Sequence, residues 1–536
     1  MSWSARAPTR VTNNLVEVSP LVRSTFNSLS KIMIFFFGCD DDVENHVSGH
    51  GKFNHLVLFT CGLIMLNVSM ESIGMSYAIT AAECELKLTN KHKGLINATA
   101  FIGIISTSFL WGYLGDRVGR RAVMLPSIVT SAVFSIISSF SSNVWMLLVF
   151  RILTGCFISA SSATVYAYLG EMHSSSKRAA AIAWGSAFIS FSFIILPGLA
   201  WAIIPGKWSF DLGPFTIVPW RAFVWSWCAP GLVAAAILLF LPESPRYLLA
   251  AKGPDRALPV LAKMYAYNTG KHFSFSCSFW VTNIIVSSSE EVKTTGFASA
   301  VKNIVLMFRP PLLRCVFISH LSMFTVFMLS SGLYMWVPDI LNNILNSENS
   351  ERYTICQIIH NKFVKASLST EGEESCHAEI SVTMFPISMS MGAVFALTYL
   401  AIGFFINRIG RKTLYCSIML ISGVATIGSA FVPDGIPATV LLIVSLCSGC
   451  AASILAAIAV DVFPTSLRAM AMCIMYMVGR SGAAIGSYVL GASLDVYCLE
   501  SFSAFGVITA GSTILMVFWP NPEKVRGEMQ AKGFTY

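Results

Sequence analysis

Charge is scarce in this chain, and that scarcity sorts it first. Only 12% of the 536 residues are Asp, Glu, Lys or Arg, against about 25% in an ordinary soluble domain. With 55% hydrophobic residues and a mean hydropathy of +0.66, a water-soluble fold of this length could not cover its apolar surface. Basic runs and aromatic–basic stripes are missing too, so the net charge of +8 does not point to nucleic acid. The chain lacks a phosphate-binding loop, a metal-ligand set and a nucleophile motif. That argues against an enzyme, against ATP-driven transport and against any cofactor. No secretory signal stands out. The first 50 residues are polar and mixed, and their one apolar patch, Ile32 to Phe37, is too short to span a bilayer. Targeting is therefore expected from the first spanning segment.

Most of the 14 cysteines are scattered through apolar segments, where small, soft packing is the plain reading. Cys447 and Cys450 form a CxxC without a second pair or a nearby His, so they do not make a zinc site. Cys356 and Cys376 differ. Both fall in a polar loop expected on the outside, which makes them a candidate disulfide.

What the chain has in abundance is long apolar runs. A spanning helix needs about 20 such residues. Twelve segments qualify, near 56–80, 94–114, 122–140, 143–169, 179–204, 222–241, 312–337, 380–406, 413–432, 437–460, 469–494 and 501–519. Lys and Arg divide 26 to 8 between the two sets of connecting segments. The positive-inside rule then puts both termini in the cytoplasm. The expected organisation is a tail at 1–55, a six-helix half at 56–241 and a cytoplasmic linker at 242–311. A second half at 312–519 contains an outside loop at 338–379, and a C-terminal tail covers 520–536. Within the linker, Asp255 to Tyr267 and Phe297 to Phe308 read as helical. The bilayer aside, a monomer facing a small organic solute is the expected state.

The halves repeat. Gly112-Tyr-Leu-Gly115-Asp116-Arg117-Val-Gly119-Arg120-Arg121 follows the second span. Gly403-Phe-Phe-Ile-Asn407-Arg408-Ile-Gly410-Arg411-Lys412 follows the eighth, 291 residues on. Glu171 and Arg178 follow the fourth span, and Asp461 and Arg468 follow the tenth at the same separation, 290 residues on. Two unrelated motifs at nearly one offset indicate two related six-helix units, an arrangement in which transporters hold their site between the halves. Gly115 allows a tight turn, and Asp116 is expected to reach the positive N-terminus of a neighbouring helix. Arg120 and Arg121 are expected to pair with Asp116 and Glu171, latching the halves together on the cytoplasmic side.

At residues 112–121 the chain resembles the major facilitator superfamily, whose loop signature it matches at each position. Asn407 replaces the acid in the second copy. Pro242-Glu243-Ser244-Pro245-Arg246, with Glu171, Arg178, Asp461 and Arg468, resembles the branch that holds sugar porters and organic cation transporters. In that branch such acids and arginines form a cytoplasmic network between the halves. Gly49-His-Gly-Lys-Phe53, Ala82-Glu83, Lys93-Gly94, Ala200-Trp201-Ala-Ile-Ile-Pro205, Trp208-Ser-Phe210 and Trp220-Arg221 are similar to the synaptic vesicle glycoprotein 2 group. The loop at 338–379 is far shorter than in that group and has no Asn-x-Ser/Thr site, so this looks like a reduced, divergent member. The resemblance implies an all-α fold of twelve membrane helices and a transporter, or a transporter-shaped vesicle protein acting as a binding partner, in the plasma membrane or a vesicle membrane.

Ionisable residues inside spans are functional suspects, since lipid penalises them. Glu71 in the first span and Arg151 in the fourth are expected to face each other at the cavity. Proton coupling, a static pair and no contact all stay open. Arg480 in the eleventh span, Trp201 in the fifth and His320 in the seventh complete the candidate cavity, His320 being as well read as packing. Tyr166, Tyr168 and Trp184 are further aromatic candidates. The Gln pair that the resemblance to sugar porters calls for in the seventh span is absent. An organic cation, with Glu71 as counter-charge, is therefore the expected solute and a hexose the alternative. Asn97-Ala-Thr99 fits a glycosylation sequon but lies too close to the membrane for use.

Overall fold

The computed structural model describes residues 51–211, 216–270, 304–347, 352–368 and 379–531. Cys376, most of the Phe297 to Phe308 stretch and all but the last residues of the N-terminal tail lie outside them.

The first half runs α1 (Lys52–Ile73), α2 (Met75–Ala82), α3 (Asn90–Val118), α4 (Arg120–Ser139), α5 (Val144–Glu171), α6 (Ser175–Ile203) and α7 (Pro219–Leu238). A two-strand hairpin, Phe210–Asp211 with Thr216–Ile217, precedes α7. Short helices α8 (Pro245–Lys252) and α9 (Pro254–Thr269) follow. The second half runs α10 (Leu312–Phe327), α11 (Val337–Leu345), α12 (Ile355–Leu368), α13 (Met384–Ile409), α14 (Arg411–Phe431), α15 (Gly435–Leu446), α16 (Ala451–Val462), α17 (Thr465–Ser493), α18 (Cys498–Val517) and α19 (Pro522–Gln530).

Among the described residues, 11 helical segments are long and apolar enough to cross a membrane. The 29-residue α17, eleventh in chain order, completes the twelve by position and packs against α3 and α10. It carries glycines in place of bulky apolar residues because it crosses α3 at close range. A Cβ on Gly94 of α3 would lie 2.9 Å from the Ser487 carbonyl and 3.1 Å from the Gly491 Cα. Small residues at such crossings let backbones approach. The halves meet along this seam and along α6 against α13.

Three spans depart from one regular α-helix. The first is divided at Gly74 between α1 and α2, where Gly74 keeps right-handed helical φ and ψ and its N–H still donates to the Met70 carbonyl. The seventh passes from α10 into a π-helical turn, Met328–Leu333. The tenth changes through a 3-10 turn, Cys447–Cys450, between α15 and α16. The π turn and the 3-10 turn face each other, with Gly449 against Ser330. Helices α11 and α12 lie within the stretch expected to be loop.

Candidate transport site

Three levels of the molecule carry the charged residues: the face bearing the repeated loop motif, the opposite face, and the middle of the spans.

On the motif face, Gly119 turns the chain with φ 118°, which an L side chain rarely adopts. A Cβ there would also lie 2.5 Å from Glu243 Oε2. The turn delivers the first N–H groups of α4 to Glu243. Arg121 N donates to Oε1 at 3.0 Å and Ala122 N to Oε2 at 3.1 Å, placing a carboxylate at the positive helix end. At the start of α4 that acid is Glu243 and not Asp116. Gly119 directs the start of α4 under the Pro242–Pro245 segment, and the Asp116 side chain stays 75% exposed. Arg120 Nη2 pairs with Asp116 at 2.9 Å and with Glu171 at 3.1 Å. Arg121 instead donates to the Leu238 and Leu239 carbonyls at the end of α7. The Tyr247 hydroxyl donates to the Arg117 carbonyl at 3.0 Å, and the Arg117 guanidinium sits over the Tyr113 ring. Gly115 packs on Thr164, Gly112 faces open space, Arg178 Nε donates to the Gly170 carbonyl, and Arg246 is exposed.

The second copy has the same layout. Gly410 turns at φ 91°, Arg411 pairs with Asp461, and Arg526 Nε donates to the Asp461 carbonyl at 2.7 Å. Arg408 stacks on Phe404, and Arg468 Nε donates to the Phe463 carbonyl. The Asn407 side chain lies outside the described residues. Each cluster thus closes within its own half. Among the described residues the ion pairs of this face stay within one half, while Asp116 lies within electrostatic reach of Cys473 of α17.

The halves are joined instead at the opposite face. Lys93, 1% exposed at its side chain, has Nζ 2.6 Å from Asp339 of the second half and 3.0 Å from Glu83. Burial acts to raise the Asp339 carboxyl, but Lys93, with Lys362 and Asn343, holds it below its ordinary value. Asn97 Nδ2 donates to the Met335 carbonyl at 3.3 Å, and the Tyr77 and Tyr334 hydroxyls meet at 3.3 Å. Asn97 is 2% exposed, so its amide is committed to this seam. Sequence reasoning missed Lys93 and Asp339 as a pair. Its one signal was a lysine just inside an apolar run.

The same face carries a second correction. Cys356 is bonded to Cys498, with Cα atoms 5.5 Å apart, and not to Cys376. Helix α12 brings Cys356 over the start of α18. Cys84 is also disulfide-bonded.

In the middle, Arg151 Nη1 lies 3.0 Å from Glu71 Oε2, and its Nη2 donates to the Glu71 backbone carbonyl. Ser135 Oγ donates to Oε2 at 3.0 Å, Cys228 Sγ approaches Oε1 at 3.4 Å, and the Trp227 ring lies 5.7 Å below the guanidinium. Both charged residues are 1% exposed. The pair is therefore packed among α1, α4, α5 and α7 of one half and does not line an open cleft.

Arg480, near the middle of α17, reaches the other half and donates to Ser162 Oγ at 2.6 Å. Tyr166 and Tyr476 lie within electrostatic reach of it, and Tyr399 interacts with both and with Cys450. Trp201 is not part of this group. Ser192 of α6 meets Ser69 at 2.7 Å, level with Glu71. Trp201 lies nine residues further, about 13 Å along the helix. It sits at the helix end and is 44% exposed, the position of an interfacial belt residue. His320 is 7% exposed; its Nδ1 lies 3.1 Å from Ser319 Oγ, and its Nε2 has no partner among the described residues. Tyr168 is buried with its hydroxyl on the Pro242 carbonyl, and Trp184 is 65% exposed.

Two six-helix units, joined at one face and holding charged groups between and inside them, define a multi-pass membrane protein of the secondary-transporter class. The chain belongs to the Major Facilitator Superfamily, whose family pattern matches residues 56–359 and 352–533. That family is one of transporters rather than enzymes. The chain is similar to synaptic vesicle glycoprotein 2A of Rattus norvegicus, 28% identical over 316 residues, 55% of this chain and 43% of that protein. Synaptic vesicle glycoprotein 2B of Homo sapiens is 31% identical over 238 residues, 44% of this chain and 35% of that protein. The chain thus spans less than half the length of these relatives. Its fold is similar to that of the xylose transporter XylE from E. coli in a partially occluded inward open conformation, with a TM-score of 0.62 and 16% identity. That likeness covers 88% of this chain and 100% of XylE.

Proposed function

We propose that this chain carries a small organic solute across a membrane by alternating access, its two halves (56–241 and 312–519) rocking about the seam between them. The carrying observation is the asymmetry of the two faces. Lys93, Glu83, Asp339 and the Gly94–Gly491 crossing seal one face, while the ion clusters of the motif face each close within one half. On the positive-inside count the motif face and both termini are cytoplasmic, in the plasma membrane or a vesicle membrane.

The Glu71–Arg151 pair is the coupling element of this reading. A buried carboxylate that takes a proton releases its arginine. Here the arginine also holds the Glu71 backbone carbonyl, three residues before the α1–α2 junction at Gly74. A Cβ on Gly74 would meet the Trp227 ring at 2.8 Å, so the junction, the ring and the guanidinium are packed as one unit. Protonation of Glu71 would loosen the α1–α2 junction and bias the halves. A solved protein of similar fold is a D-xylose-proton symporter, which agrees with coupling to protons. An amine solute with Glu71 as counter-charge loses its basis here, since Arg151 already neutralises that carboxylate.

The test is uptake into proteoliposomes, with labelled amines, zwitterions, carboxylates and hexoses offered with and without an inward proton gradient. Accumulation of one class supports the reading. Folded, oriented protein that moves none of them refutes it and favours the binding-partner reading that the vesicle relatives suggest.

A further inference from the structure

The described residues include three arginines set into spanning helices, and they are not equivalent. Arg151 is neutralised by Glu71. Arg221 is neutralised by Glu85. Arg480 makes one side-chain hydrogen bond, to Ser162 Oγ across the seam, and meets no carboxylate among the described residues. Its electrostatic neighbours are hydroxyls and a thiol: Tyr166 of α5, Tyr476 one turn before it on α17, and Cys473. Tyr399 of α13 closes the group from a third helix, interacting with Tyr166 and Tyr476. The Phe327 ring stands edge-on to Tyr476 with centroids 6.2 Å apart.

We propose that Arg480, with the hydroxyls of Tyr166, Tyr399 and Tyr476, is an anion subsite that binds a carboxylate of the transported solute. This deepens the transporter reading and rests on it. A guanidinium in the middle of a membrane protein is tolerated beside water but is costly once water is expelled. Both halves contribute to this group, so closing them over it removes that water. The charge must then be met by something other than a protein acid. A carboxylate fits the planar fork with two parallel hydrogen bonds, and the phenols add neutral donors. Aromatic walls suit an apolar body attached to that carboxylate. Closure then depends on the solute, because only the anion makes the occluded state neutral.

The test uses purified full-length protein in detergent and measures binding by thermal shift. The probes are lactate, benzoate, 2-oxoglutarate and 3-phenylpropionate, with 3-phenylpropylamine and 3-phenylpropanol as matched counterparts of the last. The expected result is a carboxylate that binds, 3-phenylpropionate binding at least tenfold tighter than its amine and alcohol counterparts. Arg480→Gln should weaken carboxylate binding at least tenfold and Arg480→Lys less, both melting as cooperatively as the parent without ligand. Tyr399→Phe, which keeps the ring and the charge, should weaken it about threefold. No binding by any carboxylate, equal binding by the amine or alcohol, or binding unchanged in Arg480→Gln each overturns the assignment. Uptake of a neutral solute indifferent to Arg480→Gln removes the subsite and leaves a transporter. Arginine-dependent binding without uptake of any solute does the reverse.

Discussion

Removing Lys93 should open the face that it seals. The Lys93→Ala change leaves Asp339, 6% exposed at its side chain, and Glu83, 24% exposed, without their ammonium partner. Breaking a buried pair from one side costs about 3–5 kcal/mol. The stranded carboxylate can escape by taking a proton, which at pH 7 costs a group of ordinary value 3.8 about 4 kcal/mol and so caps the penalty. Lys362, 3.6 Å from Glu83, offsets some of it, leaving about 3 kcal/mol. Separating the halves relieves that cost by admitting water, so the equilibrium should shift about 100-fold toward the state open at this face. Ser487 reports the change. It is fully buried beneath Gly94, and a Ser487→Cys reporter should react slowly with a membrane-impermeant maleimide. Lys93→Ala should raise that rate at least tenfold over the background of native cysteines. An unchanged rate in folded protein would refute the reasoning, because the pair would then not be holding the halves together.

Other consequences are as direct. Gly119→Ala should destabilise by about 1–3 kcal/mol, through its positive φ and its clash with Glu243, while Gly112→Ala, with open space around it in a helix, should be neutral or stabilising by about 0.5–1 kcal/mol; thermal melts of the two variants check the contrast. Reduction, or Cys498→Ser, should lower stability by about 2–5 kcal/mol, because the Cys356–Cys498 bridge closes 142 residues of chain, whereas Cys356 and Cys498 found as free thiols by mass spectrometry would refute the pairing. The Asp339 carboxyl is held below its ordinary 3.8. Its contribution is therefore complete above that value and lost as pH falls through the lowered one. Thermal stability of the parent should fall in that acid range, and Asp339→Asn should lose this pH dependence.

The spans were legible in the sequence because lipid imposes a length and an apolar character that few other structures need. Each expected segment overlaps an observed helix, with ends differing by a few residues. The repeat was legible because its motifs are short and spaced alike, and the paired geometry of Arg120–Glu171 and Arg411–Asp461 follows that spacing. Hydropathy is blind to hydrogen-bond register, so the turns at Met328–Leu333 and Cys447–Cys450 left no signal. Pairings distant in the chain were equally hidden. Lys93 meets Asp339 only because α11 extends the seventh span into a stretch that reads as polar loop. Cys356 meets Cys498 because α12 crosses over α18. Glu243 caps α4 because the direction of that helix is set by φ at Gly119, which composition does not reveal.

The measurement that bears most directly on the central claim compares two modes of transport in one preparation, the parent and Glu71→Gln in proteoliposomes. One mode is solute exchange at equal pH, and the other is accumulation driven by an inward proton gradient. The account predicts that Glu71→Gln keeps exchange and loses gradient-driven accumulation, since the halves still rock but no proton is carried. Accumulation that survives in Glu71→Gln would contradict it and leave Glu71 and Arg151 as a fixed brace within the first half.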